Sequence, residues 1–250
     1  MRPLQGLPSK SFRAGVDFDD VVRLYDFDRR LRLICLDAIE QAEVALRAAI
    51  NNELAVALGP HFYLDGCAFE RLSGQQVFLK KVLDAKYLAI AHYYERYDEP
   101  PRPPIWAVTE AVTFGTLSKL FADLTLANRK LVARSFGYDE TVLVSWFRSL
   151  NDLRNKCAHH NRVWNANFGA NQPRIAKHVR AAFGSNPRTD LFYARAVVLA
   201  ALLDALGRGE GWKQELVIHL QAHRSLADEA AMGCPPGWEV MPFWAPPPGR

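Results

Sequence analysis

Cysteine is scarce: Cys35, Cys67, Cys157 and Cys234 are the four in 250 residues, far apart and without a C-x-x-C pair. That spacing argues against a zinc ribbon and a disulfide framework, and it fits a reducing compartment. Charge of one sign is not in large excess either. Lys and Arg number 31 against 27 Asp and Glu, for a net charge of +4 and a pI near 8.9, and they are scattered with no basic tail. Composition therefore permits nucleic-acid binding without demanding it. The longest apolar run, Ala196 to Leu206, is broken by Asp204 and is about half the ~20 residues a membrane span needs. The N-terminus MRPLQGLPSKSF lacks the apolar stretch of a secretory signal. Alternating runs, internal repeats and low-complexity blocks are missing too, which argues against a sheet or a solenoid. The expectation is a soluble, cytoplasmic protein with no membrane partner.

What is present is a globular composition, 49% hydrophobic and 11% aromatic, too apolar for a disordered chain. A chain of this length buries a full core as one large domain or two small lobes. Helical periodicity dominates. After an irregular lead-in with Pro3, Gly6, Pro8 and Gly15, Asp17 or Asp19 is placed to cap a first turn. Leu24, Phe27, Leu31, Ile34, Ala38, Ala42, Ala45 and Ala49 then follow the 3–4 spacing of one long, kinkable helix that runs on to Gly59-Pro60. Arg29, Arg30, Glu40, Glu43 and Arg47 fall on its other faces, a solvated surface.

Further helices are predicted over 75–97, ending at EPPRPP, and over 105–124, opened by Pro104 and crossed by Gly115. Others follow over 127–136, over 140–163 behind an Asp139 cap, over 189–206 up to Gly207 and Gly209, and over 212–228. Residues 164–187 read as loop with a turn of helix near 175–183. The tail MGCPPGWEVMPFWAPPPGR is too rich in proline to be helical and is expected to lay its Trp rings along the body. The fold class is all-α: a lead-in over 1–16, a single helical domain over 17–245, and a Pro-rich tail end over 246–250.

One polar cluster stands out, Arg154 to Arg162, within NDLRNKCAHHNRVWN (151–165). On a helix at ~100° per residue, Trp146, Leu150, Leu153 and Cys157 form one stripe that faces the core. Asn151, Asn155, Ala158, His159 and Arg162 take the opposite side, flanked by Arg154. His160 projects nearer the apolar stripe and is read as a supporting residue; Trp164 and Asn165 close the helix end. Arg154 and His159 lie roughly 140° apart around the axis, so one helix does not aim both at one atom, whereas two facing copies do.

Cutting RNA without a metal needs a base for the 2′-hydroxyl proton, an acid for the 5′-oxygen leaving group and a cation on the phosphoryl oxygens. Histidine, with an ordinary pKa near ~6.5, serves as base or acid. Arginine stabilises the phosphorane and keeps its proton. Asn155, one turn before His159, orients it or binds phosphate. One Arg and one well-placed His per chain make half a site, and a two-fold homodimer completes it.

The spacing Arg154-Asn155-x-x-x-His159 resembles the R-x4–6-H motif of HEPN-type ribonucleases, and RNKCAHHNRVWN is similar to the Abi-like family of abortive-infection phage-resistance proteins of the AbiD/AbiF type. LYDFDRRLRLICLDAIEQAEVALR (24–47), PIWAVTEAVTFGTLSKLF (104–121) and MGCPPGW (232–238) resemble further blocks of that family, so the likeness runs in order over about 17–245. The resemblance implies a HEPN-like helical bundle with additional helices, a dimer with a composite site, and metal-independent RNA cleavage in phage defence. It assigns Arg154 and His159 as the catalytic pair with Asn155 as their polar companion; from the helix projection, His160, Arg162 and Asn151 are expected as supporting or RNA-binding residues. Many members of that family carry a YYRLSGY-like stretch ahead of the block near Phe18, absent from this sequence; the expectation for a short form is a retained fold with loss of substrate selection or regulation.

Other readings stand beside this one. His159-His160 as a metal pair is disfavoured, because adjacent helical residues point about 100° apart and no carboxylate or Cys sits at ligand spacing. Arg154 taken alone reads as an ion-pair partner of Asp152 or of a neighbouring helix. His61, His92, His178, His219 and His223 are isolated and carry no assigned role, and the run His92-Tyr93-Tyr94 reads as core before it reads as a base-stacking platform. The expected function is a HEPN-type endoribonuclease that uses no cofactor and no metal. The alternative is a non-catalytic module that grips RNA or protein, with an antitoxin or regulatory RNA among its partners. A dimeric scaffold of a defence complex is a third.

Overall fold

A computed structural model describes residues 11, 14–83 and 87–245. Most of the expected lead-in, the tail end over 246–250 and the middle of the helix expected over 75–97 lie outside the described residues. The described residues are all-α: ten α-helices and no strand, with one isolated antiparallel bridge, Phe69 to Leu124. In chain order the helices are α1 Phe18–Ala49, α2 Ala55–Leu58, α3 Leu72–Leu83, α4 Leu88–Arg96, α5 Ile105–Glu110, α6 Phe114–Asp123, α7 Leu126–Arg134, α8 Glu140–Ala158, α9 Phe192–Ala205 and α10 Gly209–Ala222. A π-helical segment, Ile50–Leu54, joins α1 to α2 and is the irregularity within the long first helix, which stops at Gly59 with φ of 92°. Among the described residues no helix is long and apolar enough to cross a membrane.

Two predicted helices are broken. The stretch 105–124 divides into α5 and α6, because Thr113 turns extended and its side chain accepts the Thr116 N–H, capping a new helix. Pro104 is the extended residue before α5 rather than part of its first turn. The stretch 75–97 divides into α3 and α4, with Tyr87 extended ahead of α4. Tyr94 and Tyr97 there are exposed rather than core.

The chain forms two compact units. The first contains residues up to Ala38, Asp152–Ala170 and Lys177 onward. Asp17 and Asp20 cap α1 reciprocally, each backbone N–H donating to the other's carboxylate at 3.1 and 2.9 Å. At the centre of this unit lies α9, whose residues Phe192–Leu203 are all buried. Trp212 on α10 donates its indole N–H to the Ile34 carbonyl at 2.8 Å. The tail forms no α-helix but, against expectation, winds one 3-10 turn at Trp238–Val240; its tryptophans pack as predicted, Trp238 and Trp244 buried edge to face and Trp244 donating to the Tyr193 hydroxyl at 2.8 Å.

The second unit contains Ile39–Asn151 and Asn171–Ala176. Phe147 is its aromatic centre, met edge-on by Phe114, Phe121 and Phe136 at centroid distances of 6.2, 5.9 and 5.6 Å. Trp146 donates its indole N–H to the Arg174 carbonyl, which ties the short 171–176 segment to α8.

Candidate functional site

The polar cluster sits where α8 ends, and α8 ends earlier than its pattern predicts: at Ala158 rather than Val163. His160 adopts φ of 54°, in the left-handed region. Its N–H donates to the Cys157 carbonyl at 3.2 Å while the Asn161 N–H donates to the Lys156 carbonyl at 2.9 Å. Those paired bonds form a Schellman turn, which satisfies the carbonyls a helix end leaves bare. His159 still donates helically to the Asn155 carbonyl at 3.0 Å. Arg154, Asn155 and His159 therefore keep helical spacing, and the ~140° between Arg154 and His159 holds within one chain. Arg162, Val163, Trp164 and Asn165 lie beyond the turn, not on the helix.

The expected core stripe is correct: Trp146, Leu150, Leu153 and Cys157 are all buried. Asn155, His159 and Arg162 are exposed and Arg154 is half-buried. His160 is also exposed, at the apex of the turn rather than beside the apolar stripe, because its left-handed backbone swings it off the helical path. Asn151 belongs to the second unit, where it packs so closely on α6 that a Cβ at Gly115 would lie 2.7 Å from its Oδ1. Among the described residues, the side chains of Arg154, Asn155, His159 and Arg162 take part in no hydrogen bond and no ion pair, and Arg154 does not pair with Asp152. Four groups able to donate or transfer protons are thus left without a hydrogen-bond or ion-pair partner among the described residues. Also among the described residues, no three His, Cys, Asp or Glu side chains gather as a metal site.

The backbone carrying them is held firmly. Asp28 of α1, only 4% exposed, accepts the Val163 and Trp164 N–H groups at 3.0 and 2.9 Å and forms a buried ion pair with Arg32 one turn on. Burial pushes the Asp28 carboxyl above its usual range, opposed by the Trp164 and Val163 N–H groups, Arg32 and Arg162. On the α8 side, Lys156 lies over the Phe168 ring at 5.2 Å and the fully buried Arg195 guanidinium lies over the same ring at 4.1 Å. Arg195 also donates to the Thr189 and Leu191 carbonyls, and burial pulls its pKa down to about 10. Cys35 and Cys157 are free, buried thiols, and burial with the neighbouring Cys157 thiol pushes the Cys35 thiol well above its usual range.

Asp28, Arg32 and Arg195 are the supporting residues that pattern reading missed. Their signal was a carboxylate and a guanidinium four residues apart beside the apolar stripe of α1, and one arginine within the apolar run LFYARAVVLAALL. Neither charge is tolerated inside a core unless it is bonded, so each marked a structural contact.

Among curated proteins and among solved structures, none matches this chain. The family model of the Abi-like protein matches residues 1–165, which takes in the lead-in, α1 through α8 and the whole Arg154–Arg162 cluster, and stops ahead of the tail block MGCPPGW. Because that match spans well over half of the chain, the protein belongs to the Abi-like family, which supports a role in abortive infection, the defence of a cell against phage.

Proposed function

We propose that this protein is a HEPN-type endoribonuclease of phage defence, acting in the cytoplasm as a homodimer whose two Arg154–His159 pairs form one composite site. The observation that carries the reading is the set of uncommitted side chains at a well-held helix end: Arg154, half-buried, and Asn155 and His159, exposed, hold helical spacing, and among the described residues their side chains make no hydrogen bond or ion pair. In the proposed reaction one His159 takes the proton of an RNA 2′-hydroxyl and that oxygen attacks the adjacent phosphorus. The 5′-oxygen leaves with a proton from the second His159, and a 2′,3′-cyclic phosphate remains. Arg154 holds the equatorial oxygens as charge builds, and Asn155 orients imidazole or phosphate. Arg162 and His160, on the turn beside them, supply backbone contacts to the strand.

The test is cleavage of end-labelled total RNA in EDTA by the wild type, Arg154→Ala and His159→Ala. Cutting by the wild type alone, with cyclic-phosphate ends, is expected. Inhibition by EDTA that a divalent ion reverses would sink the metal-independent mechanism. A wild type that binds RNA without cutting it, with both variants binding more weakly, would replace the enzyme with a binding module.

A further inference from the structure

The second unit contains a basic cavity outside the Arg154–Arg162 cluster. It holds roughly 290 Å³ and is walled by Glu70, Arg129, Thr141, Ser145, Arg148 and Arg174. Three elements bring its arginines together: α7 carries Arg129, α8 carries Arg148, and the 171–176 segment carries Arg174. Two of these positions are pinned by bonds that leave the cavity open. Arg129 donates to Glu70 Oε2 at 2.6 Å and to the Ala122 and Leu124 carbonyls at 3.2 and 2.5 Å. The Arg174 backbone is clamped from both sides, its N–H donating to Ser145 Oγ at 3.0 Å and its carbonyl accepting from Trp146 at 2.8 Å.

Charge in the cavity is unbalanced. Glu70 answers Arg129, but among the described residues the guanidiniums of Arg148 and Arg174, both exposed, have no hydrogen bond or ion pair, so two uncompensated positive charges line one hollow. Like charges held together repel, and an anion between them relieves that repulsion. Planar guanidiniums from separate elements, with the Thr141 hydroxyl beside them, match the several oxygens of a phosphate better than the single plane of a carboxylate; the Ser145 hydroxyl is spent on the Val142 carbonyl and the Arg174 N–H. The volume lies at the lower edge of small-molecule sites, about 300–1,000 Å³, and suits a compact anion.

We propose that this cavity is a phosphate-binding site, filled by a phosphodiester of RNA or by the phosphate of a free nucleotide. The inference does not depend on whether Arg154 and His159 cut RNA.

The experiment uses the full chain, with inorganic phosphate, pyrophosphate and a labelled single-stranded RNA as probes. The double variant Arg148→Ala/Arg174→Ala is compared with Arg180→Ala/Arg208→Ala, which removes two likewise exposed arginines of the other unit and leaves the cavity intact. Phosphate affinity should fall at least about tenfold in the cavity variant alone, with an unchanged melting temperature, since each lost arginine removes a charge-assisted bond. If RNA affinity falls in parallel, and the slope of log Kd against log salt drops by about 1.4, the phosphate is that of a nucleic-acid backbone. If RNA affinity holds while pyrophosphate binding is lost, the ligand is a free phosphate compound. A wild type that ignores phosphate, or equal losses in both double variants, would overturn the proposal. Absence of RNA cleavage in every protein would bear on the proposed ribonuclease and leave this result standing.

Discussion

Two histidine pairs in the first unit have opposite fates. His219 and His223 are four residues apart on and just beyond α10; His159 and His160 are adjacent at the end of α8. The His219 ring stacks on Phe27 at 4.9 Å with planes 7° apart and bonds through Nε2 to the Phe27 carbonyl at 3.0 Å. His223 bonds through Nδ1 to the His219 carbonyl at 2.8 Å. Burial pushes the His219 imidazole down to about 4, so it stays neutral near physiological pH. The imidazoles of His159 and His160 are exposed, and among the described residues no ring stacks on them and no hydrogen bond holds them. The difference shows that a histidine's chemistry depends on what its surroundings have already claimed: one pair is committed to packing, and the other is exposed to solvent.

The sharpest way to break that contrast is to remove each pair in turn. His159→Ala should lower RNA cleavage by about 10²–10⁴-fold, the usual loss on removing a general acid or base, with little change in melting temperature. His219→Ala should lower the melting temperature and spare cleavage per folded molecule, and the opposite pattern in paired melting and activity assays would reverse the assignment. Asp28→Ala strands Arg32 in the core and leaves the Val163 and Trp164 N–H groups bare. Denaturant unfolding should show a loss of about 3–5 kcal/mol. Leu153→Ala, fully buried beneath the polar strip, should cost about 2–5 kcal/mol and test the apolar half of the helix by the same measurement.

A pH titration of stability gives a smaller effect with a definite sign. His219 takes up its proton less readily when folded than when unfolded, so the unfolded chain binds more protons between about pH 4 and the ordinary histidine range. Stability should therefore fall as pH drops through that window, and His219→Gln should flatten this part of the curve. The smallest effect is expected at His160, whose left-handed backbone favours glycine: His160→Gly should raise stability by up to about 1 kcal/mol. A drop instead would show that the imidazole does more in the turn than occupy it.

Much of this arrangement was legible in the residues. The buried stripe Trp146, Leu150, Leu153 and Cys157 follows directly from helical spacing, and so does the exposure of Asn155 and His159. The end of α8 was not legible: Asn161, Arg162 and Val163 continue a plausible helical pattern, and His160 has no glycine's licence for a left-handed turn. Tertiary bonds decide it, because Asp28 draws the Val163 and Trp164 N–H groups away from any helical partner. The breaks before α4 and α6 escaped notice for a related reason. Thr113 is an ordinary residue within an apolar pattern until its hydroxyl finds the Thr116 N–H. Periodicity reports which faces are buried and says little about where a helix stops.

The Asp28 contact also sets an order on the birth of the site. Its carboxylate and the Val163 N–H are 135 residues apart in sequence, and the whole of Ile39–Asn151 lies between them. Closing so long a loop is slow compared with winding a helix, and its entropic cost falls due before the bonds repay it. On a growing chain α1 is complete long before Trp164 leaves the ribosome, so Asp28 waits, exposed and ionised, for most of synthesis. The turn that presents His159 should thus be among the last local structures to settle, and a nascent chain cut short before Val163 should lack it altogether.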